Sequence, residues 1–319
     1  MRNYLFAILF ILFSASSCSV LTKSESKQIS NFATSMQDFS TLPPKINDIY
    51  YQWKLESQRL SVVSGLDSNF KKHDYLTVDK QYTLETMIYD SIVSKIDTFC
   101  SLIGKISAHI NLLTDQSYLT NFNHRADTLS INLDTAISNF NKIEDKKLSL
   151  VGGNLLGGFY KAVVKYRMRK LQRKYLVEFF DNITPVIDTI YMYRDYVFIR
   201  SKDVEDEEIT RHANENNFVL LNANDTANGK YHFMDFQAKI WFNSIVLSGL
   251  SSYYTLTDII PKNEAAFLKM KNSMDKLDRD IHNKKLSAKD LFNDTKDFIS
   301  DANNLSNTYK KYQSSKTSK

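Results

Sequence analysis

Apolar residues recur at alternating steps of three and four along most of this chain, and that spacing limits the fold more than any other feature. The longest row consists of Tyr89, Ile92, Ile96, Phe99, Ile103, Ile106, Ile110 and Leu113. A mean spacing of 3.5 keeps such side chains on one side of an α-helix, where other helices must cover them. A polar break at 114–118 and a second row over 122–143 follow. The two rows predict an antiparallel helical hairpin.

Residues that favour turns are scarce, which also favours a few long elements. The chain has 8 glycines and 4 prolines in 319 residues, where average usage would give about 22 and about 16. Strand-rich folds need many turns and therefore many of these residues. We predict an all-α fold, an elongated antiparallel multi-helix bundle with coiled-coil-like heptad packing. It spans residues 29–312, with a possible sub-boundary within 200–230, and residues 313–319 form a disordered tail.

Element boundaries follow from prolines and caps. A first helix should stop at Pro43-Pro44, where Pro44 can start the next, and residues 66–79 should be a loop with Asp79 capping the long helix. Residues 154–199 have a helical pattern that contains Pro185. Either the helix kinks at Pro185, or one helix ends near Asp181 and another starts at Pro185 with Thr184 as its cap.

The C-terminal third combines an irregular part with clear rows. Residues 200–230 look least regular, the acidic run 203–208 reads as a solvated loop, and residues 216–222 suggest a strand or buried loop. One apolar row ends before Pro261; its members are Phe233, Phe236, Ile240, Leu247, Leu250 and Tyr254. The next row spans 267–281, and Ser287 with Asp290 forms a capping-box variant that should start the last helix.

The N-terminus has the layout of a secretory signal. Arg2 precedes an apolar block from Tyr4 to Phe13, which is shorter than the ~20 apolar residues a membrane-spanning helix needs. A basic start, a short apolar region and small residues at its end are typical of a cleaved signal peptide. Cleavage near Ala15 or Ser17, with Cys18 incidental, is one interpretation.

The other interpretation rests on the sequence "LFSASSC", which ends at Cys18. Its last four residues resemble the lipobox of bacterial lipoproteins, although Ala15 stands where leucine is commonest. The resemblance implies a signal peptide over 1–17, lipidation of Cys18 and a polar tether over 18–28. It further implies that the chain is anchored to a membrane of the bacterial envelope and faces the periplasm. More than one acyl chain gives stable anchoring.

Charge and cysteine content exclude some classes of function. The 41 basic and 36 acidic residues give a formal net charge of +5, which is too mild to indicate nucleic acid as the main partner. If Cys18 is lipidated, Cys100 is the only remaining cysteine, so no disulfide can form within the chain. Because Cys100 lies beside Phe99 within the span of the apolar row, we expect a buried, unreactive thiol.

Catalytic and metal-binding patterns are weak. The sequence has no HExxH motif, no phosphate-binding loop and no nucleophile elbow. His212 and Glu215 are three residues apart, so one helical turn could bring them together, but a single such pair is common by chance. We predict no catalytic residues, no metal site and no cofactor.

The segment 148–174 is the most unusual part of the sequence. It combines four glycines with an apolar stretch and a run of basic residues. The candidates for membrane or partner contact are Gly152, Gly153, Gly157, Gly158, Lys165, Arg167, Arg169, Lys170 and Arg173. This combination suits an anionic membrane surface and resembles, weakly, the membrane-inserting hairpins of helical pore-forming toxins. Alternatively, the glycines form a turn and the basic residues form a solvated helix face.

These patterns lead to three hypotheses about function. The first is a lipid-anchored, non-enzymatic scaffold or adaptor that binds envelope protein partners through exposed helix faces. The second is a membrane-active protein that uses residues 148–174. The third is a periplasmic ligand sensor or binding module that uses the interior of the bundle. The sequence leaves the oligomeric state open, because one heptad row could be shared between chains.

Overall fold

The computed structural model describes residues 21–64, 72–114, 122–144, 148, 150, 168–223, 236–282 and 287–317. All elements in these ranges are α-helices, which confirms the all-α prediction; coiled-coil-like packing stays a prediction. The helices are α1 (Lys23–Ser40), α2 (Leu42–Ser64), α3 (Lys72–Thr114), α4 (Phe122–Glu144), α5 (Met168–Val197), α6 (Ser201–Ala223), α7 (Phe236–His282) and α8 (Ala288–Thr317).

The chain divides into two compact units. Unit 1 comprises residues 1–40, 101–192 and 267–303, and unit 2 comprises residues 41–100, 193–266 and 304–319. Helices α3, α5, α7 and α8 each contribute residues to both units. The sub-boundary predicted within 200–230 does not coincide with this division, since the whole of α6 belongs to unit 2.

Side-chain caps fix several helix starts. Thr22 and Glu25 form a reciprocal capping box at α1, with the Thr22 amide donating to Glu25 Oε2 over 2.7 Å and the Glu25 amide donating to Thr22 Oγ1 over 3.2 Å. The predicted capping box at α8 is confirmed, because the Asp290 amide donates to Ser287 Oγ over 3.1 Å. These bonds satisfy amides that lack partners within the helix.

The core of unit 1 is built around phenylalanines. Phe298 of α8 packs edge-on against Phe32 and Phe39 of α1, at centroid distances of 5.4 and 6.0 Å. Phe39 also contacts Phe267 of α7 at 6.4 Å. The predicted row of α3 contributes as well: Ile103, Ile106, Ile110 and Leu113 are buried. Such aromatic pairs add about 0.5–1.5 kcal/mol each beyond area burial.

Unit 2 joins α2, α6 and the first part of α7. Tyr50 donates to the Asp203 carbonyl over 3.3 Å, and Lys54 lies 3.9 Å from Glu207, so α2 and α6 run parallel. The Trp53 ring lies 6.1 Å from that of Tyr253. A little farther along α2, Ser248 Oγ donates to Glu56 over 3.4 Å, so α7 runs antiparallel to α2. Three helices therefore cover one another's apolar faces.

The structure corrects several predicted boundaries. Residues 72–79 are the first turns of α3 and not a loop, residues 216–222 are helical and not a strand or buried loop, and the acidic run 203–208 lies in α6. Pro261 does not end a helix, since α7 continues through it. Pro185 likewise lies inside α5, which excludes the split at Thr184. The rest of the predicted loop, residues 66–71, lies outside the described residues.

Candidate functional site: an uncharged face of helix α7

The most unusual surface among the described residues is one side of α7 in unit 2. Ile240, Leu247 and Tyr254 are exposed to 49, 67 and 68 %, although their row predicted a buried face. They are seven residues apart, so they lie on the same side of the helix. The prediction that these three residues are buried is therefore wrong. Their heptad spacing in α7 belongs to apolar side chains that face solvent.

The positions between them are small and uncharged. Exposed residues on the same side of α7 are Asn243, Ser244, Ser248, Ser251 and Thr257. Residues 240–257 contain no charged side chain at all, and Lys239 and Asp258 bound this stretch in the sequence. We call Ile240, Ser244, Leu247, Ser251 and Tyr254 the α7 face. Large exposed apolar groups in a continuous patch mark interaction surfaces more often than scattered ones do.

The opposite side of the same helix is buried. Leu256, Ile259 and Ile260 are buried. Gly249 lies where α7 meets α6, and a Cβ atom added there would overlap the guanidinium of Arg211. The guanidinium therefore occupies the space that a side chain at position 249 would need. Only glycine permits this arrangement.

Arg211 connects the two helices by hydrogen bonds from a buried position. It is 2 % exposed, donates from Nε to Glu215 Oε1 over 2.9 Å and from Nη2 to the Ile245 carbonyl over 2.8 Å. Neither Arg211 Nη1 nor Glu208 Oε2 has a hydrogen-bond partner among the described residues. Burial raises the pKa of Glu208, because desolvation disfavours the carboxylate.

The predicted pairing of His212 with Glu215 is confirmed in geometry. His212 Nδ1 lies 3.4 Å from Glu215 Oε2, and its Nε2 lies 3.1 Å from Glu208 Oε1. The imidazole is 57 % exposed. No group of three or more histidine, cysteine, aspartate or glutamate side chains in the described ranges is arranged to hold a metal ion. We interpret the pair as part of the charged network around Arg211.

The other histidines whose side chains are described bond to their own helices. His109 is buried, donates from Nδ1 to the Lys105 carbonyl over 2.8 Å, and stacks on Phe179 at 5.9 Å. Desolvation lowers its pKa, so it is neutral. Cys100 is 3 % exposed, and burial raises the pKa of its thiol. The expected burial of Cys100 is confirmed.

For most of the predicted contact residues in segment 148–174, the structure gives no description. Gly152, Gly153, Gly157, Gly158, Lys165 and Arg167 lie outside the described residues, as does Cys18. Arg169 and Lys170 lie in the first turn of α5, and their side chains are outside the description. Arg173 is 8 % exposed and donates from Nη2 to the Ile281 carbonyl over 2.9 Å. It thus caps the end of α7 within unit 1.

Comparison with known proteins yields no relative for this chain. No family model, no curated protein and no solved structure matches it. Among the described helices, none is long and apolar enough to cross a membrane.

Sequence reasoning missed both main features of this region. Nothing in the sequence distinguished Gly249 from other helical glycines, since its role depends on an arginine 38 positions earlier in the chain. The exposure of the α7 face had a weak signal, namely the serines and the asparagine that alternate with the apolar residues. A fully buried row in a wide bundle would carry larger side chains at those positions.

Proposed function

We propose that the protein is a lipid-anchored component of the bacterial envelope that acts as a non-enzymatic scaffold or adaptor and binds protein through the α7 face. The exposed heptad of Ile240, Leu247 and Tyr254 is the observation that carries this proposal. A partner helix with its own apolar row would cover these side chains in the way that helices pair elsewhere.

The absence of charge on the α7 face favours protein over other partners. Membrane-surface helices place lysine and arginine beside their apolar residues, and nucleic-acid sites concentrate the same cations. Residues 240–257 contain neither. The membrane would instead be reached through Cys18, whose sequence context resembles a lipobox. Anchoring and binding are then assigned to different parts of the chain.

Anchoring is tested by metabolic labelling with a radioactive fatty acid in bacteria that express the full-length chain. The wild-type protein should incorporate label and remain in the membrane fraction. Cys18→Ala should lose both properties, while Cys100→Ala should keep them. A wild-type protein that takes up no label would contradict the proposed lipid anchor. It would not affect the proposed protein binding, which is tested separately.

Binding is tested by placing a photo-crosslinking amino acid at position 247 of the full-length chain in living cells. Irradiation should give protein adducts of defined mass. The matched control is position 209 of α6, because Ile209 is exposed to a similar extent, 69 %, and lies outside the α7 face. Adducts with lipid alone at position 247, or equal protein adducts at both positions, would contradict the proposal.

A further inference from the structure

We propose that the C-terminal end of α7, residues 276–282, is a pH-responsive contact in unit 1, where protonated His282 holds it to α5 and protonated Asp280 holds it to α8. The proposal concerns unit 1 and does not depend on the α7 face, which lies in unit 2. Residues 280 and 282 are two positions apart, so about 200° of helix rotation separates them. Their side chains therefore point to different sides of α7.

On one side, His282 joins α7 to α5. Its Nε2 lies 2.9 Å from Asp181 Oδ1 of α5, and its Nδ1 lies 2.8 Å from the Asp278 carbonyl and 2.9 Å from Asp278 Oδ1. All three of these oxygens are acceptors, and an imidazole donates from both nitrogens only in its protonated form. The hydrogen bond to the Asp278 carbonyl and the two carboxylates outweigh desolvation and raise the pKa of His282. A proton therefore completes this contact between the two helices.

Two further contacts with α5 do not titrate near neutral pH. Thr184 Oγ1 donates to Asp278 Oδ2 over 2.9 Å, and Arg173 Nη2 donates to the Ile281 carbonyl over 2.9 Å. A hydroxyl does not ionise in this range, and a guanidinium stays charged. These bonds attach the helix end to α5 at any pH considered, so the His282 contact adds a strength that depends on pH.

On the other side, Asp280 faces α8. Its Oδ2 atom is buried, and no hydrogen-bond donor among the described residues reaches it. The side chain that it meets is the carboxyl group of Asp294, which also lies 3.2 Å from Lys276 Nζ. Two ionised carboxylates repel each other, whereas a protonated carboxyl donates a strong hydrogen bond to a carboxylate. A proton on Asp280 therefore turns a repulsive contact between α7 and α8 into an attractive one.

The surroundings of Asp280 bring its titration close to neutral pH. Burial, together with Asp294 and Asp290 of α8, raises the pKa of Asp280 to about 6, and the neighbouring Arg279 opposes this rise only in part. Ser273 Oγ donates to the Asp294 carbonyl over 2.7 Å, so a bond that does not titrate also joins the two helices here. The proton therefore changes the strength of an existing contact.

Both protons act in the same direction, over adjacent pH ranges. The folded pKa of Asp280, about 6, lies above the unfolded value of about 3.9, so its contact weakens as pH rises from about 4 through about 6. The contribution of His282 is complete below the unfolded pKa of about 6.5 and is lost as pH rises through the higher folded pKa. The end of α7 therefore loosens in two steps, first from α8 and then from α5.

Hydrogen exchange of the full chain at about pH 4.5, 6.5 and 8.5, corrected for intrinsic rates, separates the two steps. Between the first two values, protection in residues 276–282 and 290–296 should fall about three-fold, a figure reduced for solvent screening. Asp280→Asn supplies an amide donor to Asp294 at every pH, so it should remove this step and keep the second. His282→Gln should remove the second and keep the first, and the double variant should show neither.

Asp297→Asn is the matched control, because it removes an exposed carboxylate from the same helix α8 and should keep both steps. Loss of the first step in this variant would assign that step to the net charge of α8 and overturn the proposal. A wild-type chain without the first step, or a first step that survives in Asp280→Asn, would overturn the role of Asp280. A second step that survives in the double variant would overturn the role of His282.

Discussion

At the scale of single residues, the contact between Gly249 and Arg211 gives the sharpest stability prediction. Gly249→Ala would put a methyl group into the space that the Arg211 guanidinium occupies, so the guanidinium must leave its bonds to Glu215 and the Ile245 carbonyl. We expect a loss of about 2–4 kcal/mol in the free energy of unfolding, because a buried charge loses its partners. Urea unfolding followed by circular dichroism measures this loss.

Gly104→Ala is the control for that substitution. Its added Cβ would lie 3.0 Å from Ser40 Oγ, a hydroxyl that can shift by a few tenths of an ångström. Alanine is also the better helix former by about 1 kcal/mol, so the net change should be below about 1 kcal/mol. Equal losses for the two variants would contradict the role of the Arg211 contact.

A second residue-scale prediction concerns Asp280. Burial, together with the neighbouring carboxylates of Asp294 and Asp290, raises the pKa of Asp280 to about 6. Above that pH the folded state must hold an ionised Asp280 carboxylate that is partly desolvated and close to other carboxylates. Asp280→Asn should therefore raise the melting temperature by about 2 °C at pH 7.5, an estimate reduced for solvent screening. The difference should shrink as pH falls through about 6 and vanish only below the unfolded pKa of about 3.9, for example at about pH 3, where both states bind the proton.

At the scale of elements, the two sides of α7 should respond differently to truncation. Leu256→Ala removes a fully buried side chain and should lower the free energy of unfolding by about 2–5 kcal/mol. Leu247→Ala removes one that is 67 % exposed and should change it by less than about 0.5 kcal/mol. Urea unfolding of both variants compares them directly. A large loss for Leu247→Ala would mean that the α7 face is covered within the chain.

The same helix shows what sequence patterns could and could not determine. Spacing placed Ile240, Leu247 and Tyr254 on one side of a helix correctly, because periodicity depends only on helix geometry. It could not tell which side faces solvent, because that depends on α2 and α6. Pro185 and Pro261 gave no reliable helix ends either, since packing on both sides can hold a helix together across a missing hydrogen bond.

At the scale of the whole molecule, local sequence patterns predicted the class of fold but not the division of the chain into two units. Heptad rows and scarce glycine and proline sufficed for an all-α chain. The two units arise from contacts between residues that are far apart in the sequence, such as Phe32 with Phe298 in unit 1 and Tyr50 with Asp203 in unit 2. No local pattern encodes such pairings. The α7 face was hidden for the same reason, because exposure is a property of the assembled helices.

The two units should also differ in how their stability depends on pH. In unit 1, His282 donates from Nδ1 to the Asp278 carbonyl over 2.8 Å and from Nε2 to Asp181 over 2.9 Å. Both nitrogens are donors only in the imidazolium, and these bonds raise the pKa of His282. Its contribution is complete below the unfolded pKa of about 6.5 and is lost as pH rises through the higher folded pKa.

Hydrogen exchange of the full chain at pH 6.5 and pH 8.5, corrected for intrinsic rates, measures that loss. Protection should fall at the higher pH in residues 178–190 and 270–282, which join α5 and α7 in unit 1. It should not fall in residues 203–215 of unit 2, because the hydrogen bonds from Arg200 outweigh burial and lower the pKa of Asp203. That carboxylate therefore loses its contribution only as pH falls below about 3.9. His282→Gln should abolish the difference in unit 1, and a fall that persists in this variant would assign the pH dependence to another group.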